Sequence, residues 1–263
     1  KQNMNKIYKL IRILSIILLI SSCQSHKKIA YFQNISLDSA KVIQQYESVI
    51  SPGDLLSIVV STLDPISSAP FNLPIVSYSS PNSEQLYTQP ILQTYLVEND
   101  GNIEFPIVGK IKLGGLTKTK AIALIKEDLE PYLKDPIINI KITNYKVSVL
   151  GEVTKPGSYN IPNERVTLLD ALAMAGDLTI YGKRNNVMIF RENTNGEKII
   201  ARIDLTTDEL FNSPYFYLKQ NDVIYVEPNK AKSSYSTYNQ NVPIVISAIS
   251  AAISLLTVLL FYR

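Results

Sequence analysis

The side chains able to do chemistry are few, and their placement argues against most reactions. Cys23 is the only thiol and His26 the only histidine in 263 residues. A lone cysteine forms no internal disulfide, and no Cys/His cluster is present that could hold zinc. His26 stands three residues from Cys23 and reads as tether rather than as a general base. Hydrolysis of a glycosidic bond would need two carboxylates facing each other. Glu98, Asp100 and Glu104 are candidates by proximity, although sequence leaves open which of the 23 acids meet in space. They surround Asp100-Gly101, read as a hairpin turn, and lack the twelve-residue register of a calcium loop. No glycine loop of the kind that cradles phosphate occurs. The expectation is a chain with no catalytic residue, no metal and no cofactor.

The chemistry that Cys23 does suit is set by what precedes it. Lys1, Lys6, Lys9 and Arg12 lead into the apolar run Ile13 to Ile20, and Ser21-Ser22-Cys23 follows. Such a run is too short to cross a bilayer and reads as the core of a secretory signal. Cys23 then falls where the stretch resembles a bacterial lipobox, with Ile20 and Ser22 in place of the more usual Leu and Gly or Ala. That resemblance implies a signal peptide over 1–22, acyl lipid on Cys23 as the one attached group, and a lipidated tether over 23–46. An incidental cysteine in an uncleaved anchor is the plainer alternative.

At the other end, Ile244 to Tyr262 holds 19 residues without a charge. As a helix this stretch is about 28 Å long, enough to cross a hydrocarbon core. Pro243 suits its first turn and Arg263 an interfacial end, so a transmembrane helix is expected over 243–262, after a polar linker over 229–242. Ser247, Ser250, Ser254 and Thr257 recur at spacings of 3, 4 and 3, which puts them on one face. Either they allow close helix packing while bonding back to their own backbone, or they line a pore in a ring of identical helices.

Between the ends the elements are short and of both kinds. Ser51-Pro52-Gly53-Asp54 reads as a turn, and Leu56, Ile58 and Val60 share one face of the strand that follows. Five prolines from Pro65 to Pro90 predict a long loop over 61–92. A hairpin is expected across 95–108. Thr117 caps a helix reaching about Leu133, with Ala121, Ile122, Leu124, Ile125, Leu129 and Tyr132 on its apolar face. Ile137 to Ile142 alternates as a strand. A second unit starts at Lys146 with a strand running into the turn Pro156-Gly157. Thr167 caps a helix that Gly176 ends, strands follow at 186–191 and 199–205, and the stretch Leu218 to Val226 comes after them. The last of these repeats the order of turn, aspartate and alternating strand seen at Pro52 to Val59.

Charge narrows the partners. The formal +3 rests on the leading cations, since from Gln24 to Val242 there are 21 Lys and Arg against 23 Asp and Glu. No basic stripe exists to displace phosphate counterions, so nucleic acid is not an expected partner.

Together these stretches resemble the outer-membrane polysaccharide export family, the relatives of the capsule translocon Wza. Ser51 to Leu56 with Gly101 to Gly109 is similar to that family's export domain, Pro52, Gly53 and Asp54 carrying the motif. Val149 to Tyr159 with Leu168 to Gly176 is similar to the soluble-ligand-binding β-grasp (SLBB) domain, Gly151, Glu152, Val153, Pro156 and Gly157 carrying it. The resemblance implies an α+β fold with an export domain over 47–145, one β-grasp domain over 146–228, and the terminal transmembrane helix. It implies a homo-oligomeric ring, lipid-anchored in the outer membrane with its soluble domains in the periplasm, passing capsular polysaccharide or exopolysaccharide to the surface. An inner-membrane polysaccharide co-polymerase is the partner it implies. Well-known members carry two or more β-grasp domains, so a shorter periplasmic part is expected here. The terminal helix is also shorter and more apolar than in the best-known member, so it either lines a pore or only anchors. A lipoprotein that binds a soluble glycan without forming a channel is the second reading. The two differ in oligomeric state, because a conduit needs a closed ring.

Overall fold

The computed structural model describes residues 30–33, 46–75, 93–193, 196–236 and 242–261. Cys23, His26 and the signal segment 1–22 lie outside the described residues, as do 76–92 of the expected loop.

Alternation sets the first sheet. In β1 (Leu55–Ser61) the buried side chains include Leu56, Ile58 and Val60, and they face Ile142, Ile140 and Ile138 of antiparallel β5 (Ile137–Ile142). With β2 (Tyr95–Leu96) on the other side, the order is β2-β1-β5. The proline-rich stretch after β1 is more regular at its start than its composition suggests. Asp64 caps a helical turn, α1 (Pro65–Ser68), and a 3-10 turn over Ala69–Phe71 buries Phe71. Pro65 sits in the first turn, where its missing N–H costs nothing.

The hairpin lies one strand later than expected. Asp100-Gly101 does form a tight turn, Gly101 N–H donating to the Glu98 carbonyl at 2.9 Å. The paired strands, however, are β3 (Asn102–Phe105) and β4 (Gly109–Lys112). Pro106 has no N–H to give a ladder, and Ile107 adopts φ +69°, so the chain reverses there instead of extending to Val108.

Helix α2 (Lys118–Leu129) starts as expected, the Thr117 hydroxyl accepting from Lys120 N–H. It ends before Leu133 because Pro131 has no N–H to continue the helical ladder, although Glu130 itself keeps helical geometry at φ −52° and ψ −37°. Ala121, Ile125 and Leu129 are fully buried, the last two contributing about 1.5–3 kcal/mol each. Tyr132 lies past the helix end and is exposed.

The second unit is a five-stranded sheet of order β7-β6-β10-β8-β9. Its strands are β6 (Lys146–Gly151), β7 (Gly157–Asn160), β8 (Gly182–Glu192), β9 (Lys198–Ile203) and β10 (Val223–Pro228). Central β6 and β10 run parallel, and every other pair is antiparallel. Helix α3 (Leu168–Met174) buries Leu168, Ala171 and Leu172, and Thr167 and Asp170 cap each other's backbone at its start. The expected order of turn, aspartate and strand is met, Lys219 to Asp222 forming the turn and the strand beginning at Val223. Buried side chains of both units join in one apolar cluster.

Part of the expected linker is helical: α4 (Lys230–Ser236) begins where the Asn229 side chain accepts from Lys232 N–H at 3.1 Å. Helix α5 (Val242–Phe261) follows. Among the described residues no helix is long and apolar enough to cross a membrane. The expectation at 243–262 is met by a helix over Val242–Phe261, with no membrane span found among the described residues. Two mixed α/β units, rich in sheet and poor in helix, make up the fold.

Candidate functional site

The export-motif turn folds as its residues predict. Gly53 takes φ +87°, Asp54 N–H donates to the Ser51 carbonyl at 3.1 Å, and Ser51 N–H donates to Asp54 Oδ2 at 2.8 Å. Lys219-Gln220-Asn221-Asp222 repeats this bond for bond. Asn221 takes φ +64°, Asp222 N–H donates to the Lys219 carbonyl at 3.1 Å, and Lys219 N–H donates to Asp222 Oδ2 at 2.8 Å. Both turns close on the connector between the units. The Asn144 side chain accepts from Leu55 N–H at 2.9 Å and donates to the Gly53 carbonyl at 3.0 Å. Gln220 donates to the Asn144 carbonyl at 2.8 Å and accepts from Lys146 N–H at 2.7 Å.

Both aspartates are 1% exposed, but their electrostatics differ. Arg191 forks onto Asp222 with Nη2–Oδ2 2.6 Å and Nε–Oδ1 3.0 Å, donates to the Tyr217 carbonyl at 3.0 Å, and lies 4.8 Å from the Tyr215 ring centre. Among the described residues no ion pair reaches Asp54. Burial pushes the Asp54 carboxyl up to about 6, the Ser51 N–H opposing and the charge of Glu164 reinforcing the shift.

Glu164, which the sequence did not single out, completes the junction. It is 4% exposed and holds φ +54°. Its Oε1 accepts from Ile142 N–H at 2.7 Å, and its Oε2 lies 3.4 Å from Ser48 Oγ and 3.3 Å from Lys118 Nζ. Tyr145 and Tyr46 both donate to the Leu218 carbonyl, at 2.8 and 3.1 Å, and burial raises both phenols. The chain order Pro162-Asn163 before Glu164 signals a turn, but nothing local signals its partners. With its polar atoms committed to structural bonds and withdrawn from solvent, this cluster fixes one unit against the other; it offers no access for a substrate.

The β-grasp motif forms a loop packed against 175–182. Gly151 takes φ +90°, and a Cβ there would stand 2.1 Å from the Val226 carbonyl oxygen, so only glycine fits. Glu152 accepts from the Thr179 hydroxyl at 2.9 Å and pairs with Lys232 of α4 at 3.5 Å. Val153 is buried and bridges to Leu178. Pro156 precedes β7, and a Cβ on Gly157 would meet nothing within 4 Å. Among the described residues no hydrogen bond or ion pair joins this loop to Pro52-Gly53-Asp54.

The remaining candidates separate. Glu98 and Glu104 each lie 3.8 Å from Lys110, and hydrogen bonds from Asn102 hold the Asp100 carboxyl below the usual range. They are hairpin surface residues. Among the described residues no three His, Cys, Asp or Glu group to hold a metal. In α5 the hydroxyls of Ser247, Ser250 and Ser254 donate to the carbonyls of Ile244, Ile246 and Ser250 at 2.8, 2.6 and 2.9 Å. The Thr257 side chain lies outside the described residues.

Sequence reading also missed a strap within the tether. Phe32 N–H and Gln33 N–H donate to the carbonyls of Leu205 and Thr206 at 3.2 and 2.7 Å, and Phe32 stacks on Phe211. Tyr31 donates to Asp177 and lies under Arg184, its phenol raised by burial.

Two mixed α/β domains joined at a pinned connector are the architecture these residues define. The chain belongs to the polysaccharide export family: residues 42–143 match the polysaccharide biosynthesis/export protein model and residues 145–226 match the SLBB domain model. The two matches meet at Asn144, the residue that both turns hold. Among its relatives is the EPS I polysaccharide export outer membrane protein EpsA of Ralstonia solanacearum, 26% identical over 195 residues, which cover 72% of this chain and 50% of that protein. The protein of the same name from Ralstonia nicotianae is 27% identical over 195 residues, covering 72% and 49%. The chain spans about half the length of these curated relatives.

Proposed function

We propose that this chain is a lipid-anchored outer-membrane subunit of a homo-oligomeric ring that passes polysaccharide to the cell surface. Its export and SLBB domains, in that order, and the names of its relatives support the polysaccharide and the outer membrane. The observation that carries the ring is α5. Ile244, Val245, Ile246, Ile249, Leu255 and Val258 are between 54% and 66% exposed on a helix without a charged residue. Apolar surface of that extent is stable against lipid or against copies of the same helix, not against water.

Serine hydroxyls already bonded within the helix need no further polar partner, so α5 can face lipid or pack tightly on a neighbour. The acyl group on Cys23 is the second anchor. The inner-membrane partner is a polysaccharide co-polymerase, and no bond is broken in the process. Electron microscopy of detergent-purified full-length protein tests the reading: closed rings are expected. A solely monomeric particle would favour the alternative, a lipoprotein that binds soluble glycan without a channel.

A further inference from the structure

Among the described residues, the five-stranded sheet carries α3 on one face and leaves the other partly open. On that open face, cross-strand pairing sets Leu150, Tyr225, Met188 and Arg202 in one row across β6, β10, β8 and β9. Leu150 is 46% exposed, and Tyr225 and Met188 are half-buried. Beside this row an open cavity of about 360 Å³ is lined by Lys183, Tyr225, Glu227, Asn229, Lys230 and Ser233, together with Pro228. Its volume falls within the range of small-molecule sites, about 300–1,000 Å³. Its lining is mixed: the Tyr225 ring and Pro228 are joined by amide, hydroxyl and charged groups. Saccharides present that same mixture, apolar C–H faces edged by hydroxyls.

Charge selects among them. Glu227 pairs with Lys183 at 2.8 Å and with Arg202 at 3.6 Å, and the Lys183 bond leads the effects that hold its carboxyl below the usual range. One carboxylate is therefore shared by Lys183 and Arg202, and the exposed Lys230 lines the same cavity. The surplus is positive, in a chain whose body is close to neutral. The geometry points to a subsite on the SLBB sheet for an anionic saccharide, its sugar carboxylate near Lys230 and Lys183 and its ring against Tyr225. This subsite rests on the polysaccharide reading and narrows it to acidic polymers. Its contacts are few and open to solvent, as suits a polymer that must move on rather than stay.

The probes are tetragalacturonate and neutral maltotetraose, titrated calorimetrically into detergent-purified full-length protein. The acidic tetramer is expected to bind about tenfold more tightly than the neutral one, the worth of one or two charge-assisted contacts. Lys230→Glu, which alters an exposed side chain, is expected to abolish that preference. Tyr225→Ser is expected to weaken both sugars, while Lys126→Glu on α2, remote in sequence and equal in charge change, leaves binding intact. Equal binding of the two tetramers, no binding of either, or an unaltered preference in Lys230→Glu would overturn the subsite. So would protection of the thiol in Tyr225→Cys from thiol reagents by a second copy of the chain. Surface polysaccharide in cells separates the two ideas. Its persistence in a strain lacking this chain sinks the export reading, whereas export that depends on the chain but is indifferent to Lys230→Glu sinks the subsite alone.

Discussion

Glu164 Oε1 accepts a hydrogen bond from the backbone N–H of Ile142 at 2.7 Å, tying the turn before α3 to the last residue of β5. Through this bond the second unit supplies an acceptor that the edge of the first unit's sheet lacks. Glu164→Ala leaves the buried Ile142 N–H without its acceptor, at a cost of about 1–3 kcal/mol. Glu164→Gln keeps an oxygen for Ile142 and gives up only the charge toward Lys118, so its loss is smaller. Chemical denaturation is expected to rank wild type above Glu164→Gln and that above Glu164→Ala. Equal midpoints for all three would contradict the role of this bond.

The two motif glycines of the β-grasp loop are not equivalent. Gly151→Ala adds a methyl into the Val226 carbonyl and asks a non-glycine residue to hold φ +90°. The backbone strain alone is on the order of 1–2 kcal/mol, before the clash is counted. Gly157→Ala meets open space at an ordinary φ and is expected to stay within about 0.5 kcal/mol of wild type. Thermal melting and soluble yield of the pair check this, and comparable damage from both would refute it.

Asp54 makes stability depend on pH. Its folded carboxyl titrates at about 6, against 3.8 for the ordinary group. Between those values the folded chain binds more protons than the unfolded one, so stability falls as pH rises through that window. Asp54→Asn keeps an oxygen for Ser51 N–H and removes the titration. Denaturation midpoints from pH 4 to 7 are expected to decline less in Asp54→Asn than in wild type, with the difference complete above about pH 6. Parallel curves would show that Asp54 is not responsible. Asp222 stands in the same turn but is held by Arg191, and Arg191→Ala is expected to cost about 3–5 kcal/mol by leaving that carboxylate buried alone.

The two anchors are separable. Cys23→Ser is expected to move the protein out of the outer-membrane fraction, and unchanged fractionation would count against acylation. Ser250→Leu combined with Ser254→Leu fills the small-residue face of α5. Surface polysaccharide is expected to disappear if that face lines a pore or sits in a close helix contact, whereas normal export would confine α5 to anchoring.

Local chemistry was legible in this chain, and distant contact was not. The alternation of Leu56, Ile58 and Val60, the caps at Thr117 and Thr167, and the turns at Gly53 and Asn221 follow from backbone sterics and side-chain period over a few residues. Proline count over-predicted irregularity at Pro65, where a first-turn proline is harmless, and the Asp100-Gly101 signal drew attention away from the reversal at Ile107. Helix α4 was hidden in a polar tract with no apolar period to betray it.

By itself, then, the amino-acid order determined the two modules, their strands and helices, and the apolar stretch at each end. Only the tertiary structure decided that the two echoed turns grip Asn144 from either side, that Asp222 has a cation while Asp54 has none among the described residues, and that Tyr31 and Phe32 strap the tether to the second unit. The reason is physical. A turn is encoded by the residues within it, whereas the charge state of a buried carboxylate depends on what the fold brings near it, and for Glu164 those partners lie 22, 46 and 116 residues away.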